Sequence, residues 1–196
     1  MRTAWGYDVS GESIGPLLSV SDFNTITGNA YEGNPRIESA LKAASQVIRN
    51  YCGWHISPAL ECTAHPKGDA VKRLPAAYVS AITRVTENGT DLEASDYEWR
   101  DDGLLKKTGY SKWSDKWNAV EVAYTAGYSI AAVPDLAEAV AAITAGVLSV
   151  SAGVASESAD GVSISYSASA SSIAASLTSQ VKNALEQYKV VSSHAA

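Results

Sequence analysis

The sequence predicts an α+β protein: a small helical bundle with an inserted small antiparallel β domain and a C-terminal strand-plus-helix extension. Three observations predict it. Apolar residues recur at helical spacing over 35–53 and again over 134–150. Between them lie short runs with strand patterning, punctuated by Asn88-Gly89 and Asp102-Gly103. After them comes a serine-rich stretch holding one isolated strand pattern, then a last amphipathic helix. The expected division is an N-terminal arm over 1–34, a helical body over 35–58 plus 131–196, and an inserted β domain over 59–130.

Residues 1–34 are rich in Gly, Ser and Asn and weakly patterned, which reads as a loose lead-in. Ser21-Asp22-Phe23 is suited to starting one short helical turn that Gly28 ends. The chain then enters its most regular segment. Asn34 is a capping residue, and Pro35 suits a first turn, where its missing N–H costs nothing. Ile37, Leu41, Ala44, Ile48 and Tyr51 share one face. Arg36, Lys42, Gln46 and Asn50 fall mostly on the other. Gly53 stops the helix, and Trp54 and Ile56 are placed to fold back on its last turn.

The β block follows. Leu60 to Thr63 is a short extended piece, and 65–69 is a turn. Val71, Arg73 and Pro75 alternate with Lys72 and Leu74. The run 79–87 is a strand whose Val79, Ile82 and Val85 are spaced for a bulge or bend. Asn88-Gly89 is a strong hairpin signal, because both turn positions favour φ > 0, and Leu92 opens the return limb. Tyr97 to Arg100 and Leu104 to Lys106 form strands around Asp102-Gly103. Trp113 and Trp117 sit in a polar loop. Val120, Val122 and Tyr124 alternate cleanly with Glu121, Ala123 and Thr125. Many short strands in about seventy residues imply a small barrel or sandwich.

Pro134 and Asp135 start the next helix, with Leu136, Val140, Ile143 and Val147 as its stripe. The charge-free run 139–156 nears membrane-spanning length, but its Ala, Gly, Ser and Thr content favours a buried helix. Residues 149–179 hold twelve Ser and seven Ala, too little apolar mass for a core of their own. Within them, 161–167 alternates strictly, and a lone strand needs a partner for its N–H and C=O groups. That partner is either the β block of the same chain or a neighbouring subunit's sheet. Leu177, Val181, Leu185 and Tyr188 form the stripe of a last helix, too short to stand alone in water.

Composition excludes several functions. The formal charge is −6, which argues against a nucleic-acid-binding face and suits a surface that DNA passes without sticking. Cys52 and Cys62 read as reduced thiols, not a disulfide framework. The N-terminal residues lack the apolar core of a signal peptide. His55, His65 and His194 are scattered outside any metal or dyad motif, and no G-x-S-x-G elbow or phosphate-binding glycine loop occurs. Glu98, Asp101 and Asp102 read as a solvated hairpin end. No enzyme, metal, cofactor or membrane segment is therefore expected. The alternative from another class is a carbohydrate- or surface-binding β module using Trp113 and Trp117.

The residues Pro35-Arg36-Ile37 through Ala43-Ala44-Ser45, then Ile48-Arg49-Asn50-Tyr51-Cys52-Gly53-Trp54, are similar to one known first helix and its terminating turn. Leu74-Pro75 through Ile82, Val85, Asn88-Gly89, Tyr97 and Gly103-Leu104 look like the accompanying β insert. Pro134-Asp135-Leu136 with its helix, the strand 161–167 and the helix 177–188 complete the order. Together, over about 20–190, they resemble the head–tail connector proteins of tailed bacteriophages, also called adaptor or head-completion proteins. The resemblance implies a structural virion protein in the neck between head and tail. It implies a ring, commonly twelve-fold, beneath the portal, extending the DNA channel and meeting the next neck or tail protein. DNA passes through its lumen without sequence-specific binding. On this reading Val162, Ile164 and Tyr166 contact a neighbouring subunit or fold back as a strand. Leu177, Val181, Leu185 and Tyr188 anchor the last helix on the portal.

Overall fold

The computed structural model describes residues 1–11, 13–109, 111–149, 157–159, 162–164 and 178–190. The chain divides into two compact units. One comprises 1–14, 52–129 and 188–196, and the other 15–51 and 130–187.

The first unit is built on β strands. Its five-stranded antiparallel sheet contains β1 (Tyr7–Val9), β2 (Leu60–Ala64), β4 (Val79–Glu87), β5 (Thr90–Asp91) and β8 (Val120–Ala126), in the order β1-β2-β8-β4-β5. A three-stranded sheet contains β3 (Val71–Arg73), β6 (Tyr97–Trp99) and β7 (Leu104–Lys107), in the order β3-β7-β6. The central strand β8 follows its sequence pattern: Val120, Val122, Tyr124 and Ala126 are buried, and their neighbours are half-exposed. In β4 the register shifts between Val79 and Ala81 and between Ile82 and Arg84, the irregularity its spacing predicts. Asn88 and Gly89 take φ of 51° and 81°, as a two-residue hairpin turn requires. The return limb is β5 itself, and Leu92 follows it with an N–H donated to Val85 O at 2.9 Å.

The expected N-terminal arm is not loose here. Tyr7–Val9 pairs with Cys62–Ala64 and makes β1 the edge of the larger sheet. Tyr7 and Val9 are buried and Asp8 faces out. Three residues among Gly and Ser carry too little periodicity to announce a strand. What decides it is the open side of β2, whose N–H and C=O groups need partners.

The second unit is mainly helical: α1 (Val20–Ile26), α2 (Ile37–Cys52, to Tyr51 in this unit), α3 (Pro134–Ser149) and α4 (Ser179–Leu185). Ser19 caps α1, accepting from the Asp22 N–H at 3.0 Å. Asn34 Oδ1 accepts the Arg36 N–H at 2.9 Å, so the predicted cap operates just before α2. Ile37, Leu41, Ala44 and Ile48 are buried, while Lys42, Gln46 and Asn50 are exposed. Arg49 departs from the pattern. It is 4% exposed, and its guanidinium donates to Gly15 O at 2.9 Å. α3 packs against α1 and α4 and buries Leu136, Val140, Ile143 and Leu148. Leu148 takes the buried place predicted for Val147, which is half-exposed. Thr144, also buried, returns its hydroxyl to Val140 O at 2.7 Å. Among the described residues, no helix is long and apolar enough to cross a membrane.

Of the predicted strand 161–167, Val162–Ile164 forms β10, paired antiparallel with β9 (Glu157–Ala159). Its backbone partner is thus the segment just before it, and not the β block. Tyr166 and Leu177 lie outside the described residues, as does His194.

Candidate interaction surfaces

Three places concentrate polar and aromatic side chains in the first unit. The first is the turn after α2. Gly53 ends the helix with φ of 80°. His55 O accepts the Ser57 N–H at 2.8 Å, closing a three-residue turn around Ile56. Ile56 has φ of 64°, a conformation a β-branched residue rarely adopts and one that costs about 1–3 kcal/mol. Its surroundings hold it there. Trp54, His55 and Ile56 are each fully buried, and Ile56 O accepts the Tyr128 N–H at 2.8 Å.

His55 is satisfied on every polar atom shown. Nε2 faces Ala126 O at 3.0 Å, and a carbonyl only accepts, so Nε2 carries the proton. Nδ1 then accepts from the Tyr7 hydroxyl at 2.8 Å. That hydroxyl in turn accepts the His55 backbone N–H at 3.0 Å. A buried imidazole hydrogen-bonded at both nitrogens ties β1 and β8 to the turn. Gly127 closes over it. Its φ is 113°, and a Cβ there would collide with Pro58 O and lie 2.9 Å from His55 Nε2.

Residues 188–190 return to this turn. The Trp54 indole N–H donates to Tyr188 O at 2.5 Å, and the Val190 N–H donates to Cys52 O at 3.0 Å. Tyr128 meets Trp54 and Tyr188 edge-on and stacks on Tyr78 with centroids 4.5 Å apart. Tyr188 is 5% exposed and Leu185 fully buried, so these two predicted portal-docking residues are spent on the fold of their own chain. The reason is length. A helix as short as α4 gains its order by burying its stripe at once. Val181 is half-exposed. In the second unit Thr178 caps α4, Tyr51 donates to Glu186 at 2.7 Å, and Gln187 donates to Asp135 at 2.6 Å.

The second place links the two sheets. Glu87 on β4 pairs with Lys107 on β7 at 2.5 Å, with side chains 12% and 15% exposed. The other Glu87 oxygen accepts the Ser114 N–H at 2.6 Å, and the Lys107 ammonium lies 5.4 Å from the centre of the Trp113 ring. Burial works to raise the Glu87 carboxyl, but the hydrogen bonds from Lys107 and Ser114 and the lysine charges outweigh it. The net effect holds it below the ordinary value. Trp113 is 7% exposed beneath this pair. It is packing under a loop and presents no platform to a sugar, so the carbohydrate reading loses half of its aromatic pair.

The third place is the rim of that loop. Trp117 is 97% exposed at the tip of a turn whose next residue, Asn118, has φ of 55°. Beside it runs a cleft of about 390 Å³ lined by His65, Lys67, Gly68, Lys72, Lys116 and Trp117, among others.

No catalytic constellation emerges from the acidic residues singled out in the sequence. Glu98 pairs with Lys106 and Asp102 with Arg100, each at 2.9 Å on exposed surface. Cys52 and Cys62 are buried and not joined in a disulfide. Burial pushes the Cys62 thiol up to about 12, which makes it an inert core group. Among the described residues no group of His, Cys, Asp and Glu is arranged to hold a metal ion.

A family model described as head completion protein matches residues 16–191. Among solved structures, a chain titled "Neck of empty GTA particle computed with C6 symmetry" aligns with a TM-score of 0.59 and 20% identity. The alignment covers 95% of this chain and 96% of that one. At that identity the likeness is one of fold. No curated protein matches.

Proposed function

From the premise that this chain belongs to the head completion protein family, we propose that it is a structural virion protein of the neck. There it completes the filled head and joins the portal to the tail. The single observation that carries this reading is a family match running through both compact units and nearly the whole chain. The fold shared with a neck chain supports the location. The interior supports a structural role as well, since the buried His55 is hydrogen-bonded into the fold at both ring nitrogens.

The copies are arranged head-to-tail in a ring, since a heterologous contact closes when its rotation divides the circle. Twelve copies are proposed; the six-fold symmetry of the neck structure is compatible with six or twelve. The helical unit forms the ring body, and the β domain is an insertion in its sequence. Val162, Ile164 and Tyr166 lie at the contact with the next subunit. The portal is met through the extension that begins at β9, with Leu177 and Val181 in the docking stripe. DNA crosses the lumen beside an acidic protein.

Particles made without this chain test the function. The expected result is heads that package DNA, fail to retain it and carry no tail, with normal particles restored by supplying the protein. Tailed, DNA-filled particles in its absence would overturn the reading. For the extension, Ile164→Asp with Tyr166→Asp is expected to abolish ring assembly and leave a folded subunit by circular dichroism.

A further inference from the structure

The two edges of the three-stranded sheet carry opposite charge. At the β3 edge, Lys67 bridges to Arg73 on the side of β3 away from β7. There Lys67, Lys72 and Lys116 line the cleft beside Trp117. Lys67 and Lys116 make no ion pair among the described residues. At the opposite edge, β6 lies within the stretch 91–102, which holds Asp91, Glu93, Asp96, Glu98, Asp101 and Asp102 against the single cation Arg100. Asp91, Glu93, Asp96 and Asp101 are exposed, and Trp99 is 39% exposed among them.

An indole at 97% exposure on a tight turn gains nothing for the fold of its own chain. It is placed instead where an aromatic anchor is flanked by unpaired cations, as at the centre of a protein contact. Copies of an acidic chain repel one another unless patches of opposite sign meet. The patches here differ and lie on opposite edges of one sheet, so they complement each other between successive copies. That is the geometry of a heterologous contact.

We infer that the β3 edge of one subunit, through Lys67, Lys72, Lys116 and Trp117, docks on the carboxylate-rich 91–102 stretch and Trp99 of the next. The inference rests on the connector reading and adds a second, charge-steered contact between copies. A duplex phosphate backbone is the other polyanion such a cleft would attract. The flanking Asp69 and Asp115 and the net charge of −6 favour a short acidic segment over an extended polyanion.

The test uses the full-length chain in sedimentation velocity, alone and with portal-bearing heads, at low and high salt. Lys67→Glu with Lys116→Glu should weaken association between copies by at least about tenfold. Asp91→Lys with Asp101→Lys should do the same, and Trp117→Ala should weaken it with unchanged near-ultraviolet circular dichroism. A chain carrying all four reversals should associate again, since each new glutamate then faces a new lysine. Added salt should loosen the wild-type contact. Association of both paired variants at the wild-type level would overturn this contact and leave the connector reading standing. Loss of duplex DNA binding in Lys67→Glu with Lys116→Glu, with assembly intact, would assign the cleft to phosphate and also overturn it. Failure of the wild-type chain itself to associate under either condition would remove the ring reading and this contact together.

Discussion

The turn after α2 and the loop before β8 both display aromatic side chains, yet they treat them in opposite ways. Trp54 is fully buried, its indole N–H bonded to Tyr188 O, and the histidine beside it is fixed at both ring nitrogens. Trp113 and Trp117, four positions apart in one loop, end at 7% and 97% exposure. The difference teaches where each region's free energy goes. In the turn every polar group serves the fold, and a β-branched residue is held at positive φ by what surrounds it. In the loop an ion pair and one buried ring fix the base, and the tip is left for another molecule.

Substitutions break this comparison most sharply at the turn. Trp54→Ala removes a fully buried indole and its hydrogen bond to Tyr188 O, so a loss of about 3–5 kcal/mol is expected in denaturant unfolding. Gly127→Ala combines a φ of 113° with a collision against Pro58 O. It is expected to cost about 2–4 kcal/mol, read as a fall in the urea midpoint with an unchanged slope. A wild-type midpoint in Gly127→Ala would show that the turn yields more readily than its packing implies.

The base of the loop comes next. Glu87→Gln keeps the shape and removes the charge that Lys107 faces, with an expected loss of about 1–2 kcal/mol. The same pair predicts a pH dependence. The folded carboxyl titrates below its unfolded value of about 4.3, so its contribution is complete above that pH. It is lost as the pH falls through the lower folded value. The stability advantage of wild type over Glu87→Gln should therefore be full above about pH 4.3 and shrink as the pH falls through the lower folded value, read by urea unfolding with Trp fluorescence at a series of pH values. A difference between the two chains that stays constant across that acid range would remove Glu87 from that account. The smallest effect belongs to the tip: Trp117→Ala should change stability by less than about 0.5 kcal/mol, because the ring is 97% exposed among the described residues.

Periodicity carried most of the architecture. The buried face of α2, the alternation of β8 and the Asn88-Gly89 turn were all legible, because each is a local rule that the neighbouring chain then obeys. β1 was not legible, since its three residues become a strand only where β2 leaves an edge open. Arg49 falls at a helical position that pattern alone leaves unassigned, and its burial is supported by a carbonyl from a distant residue, Gly15 O. The candidate surfaces divide in the same way. The stripe of the last helix was visible, but the partner of Leu185 and Tyr188 was not, because a stripe names no surface. Nor did sequence separate Trp113 from Trp117, which differ only in what the Glu87–Lys107 pair draws over one of them.

By itself, then, the sequence determined the elements, their inward faces, the acidic balance and the resemblance to connectors. Those depend on spacing and composition, which act within a few residues. Tertiary structure alone decided that the first residues complete a sheet and that residues 188–190 return to Trp54 and Cys52. It also decided that a basic edge and an acidic edge flank one small sheet. Such pairings join residues tens of positions apart, and their energies exist only once the backbone has brought them together.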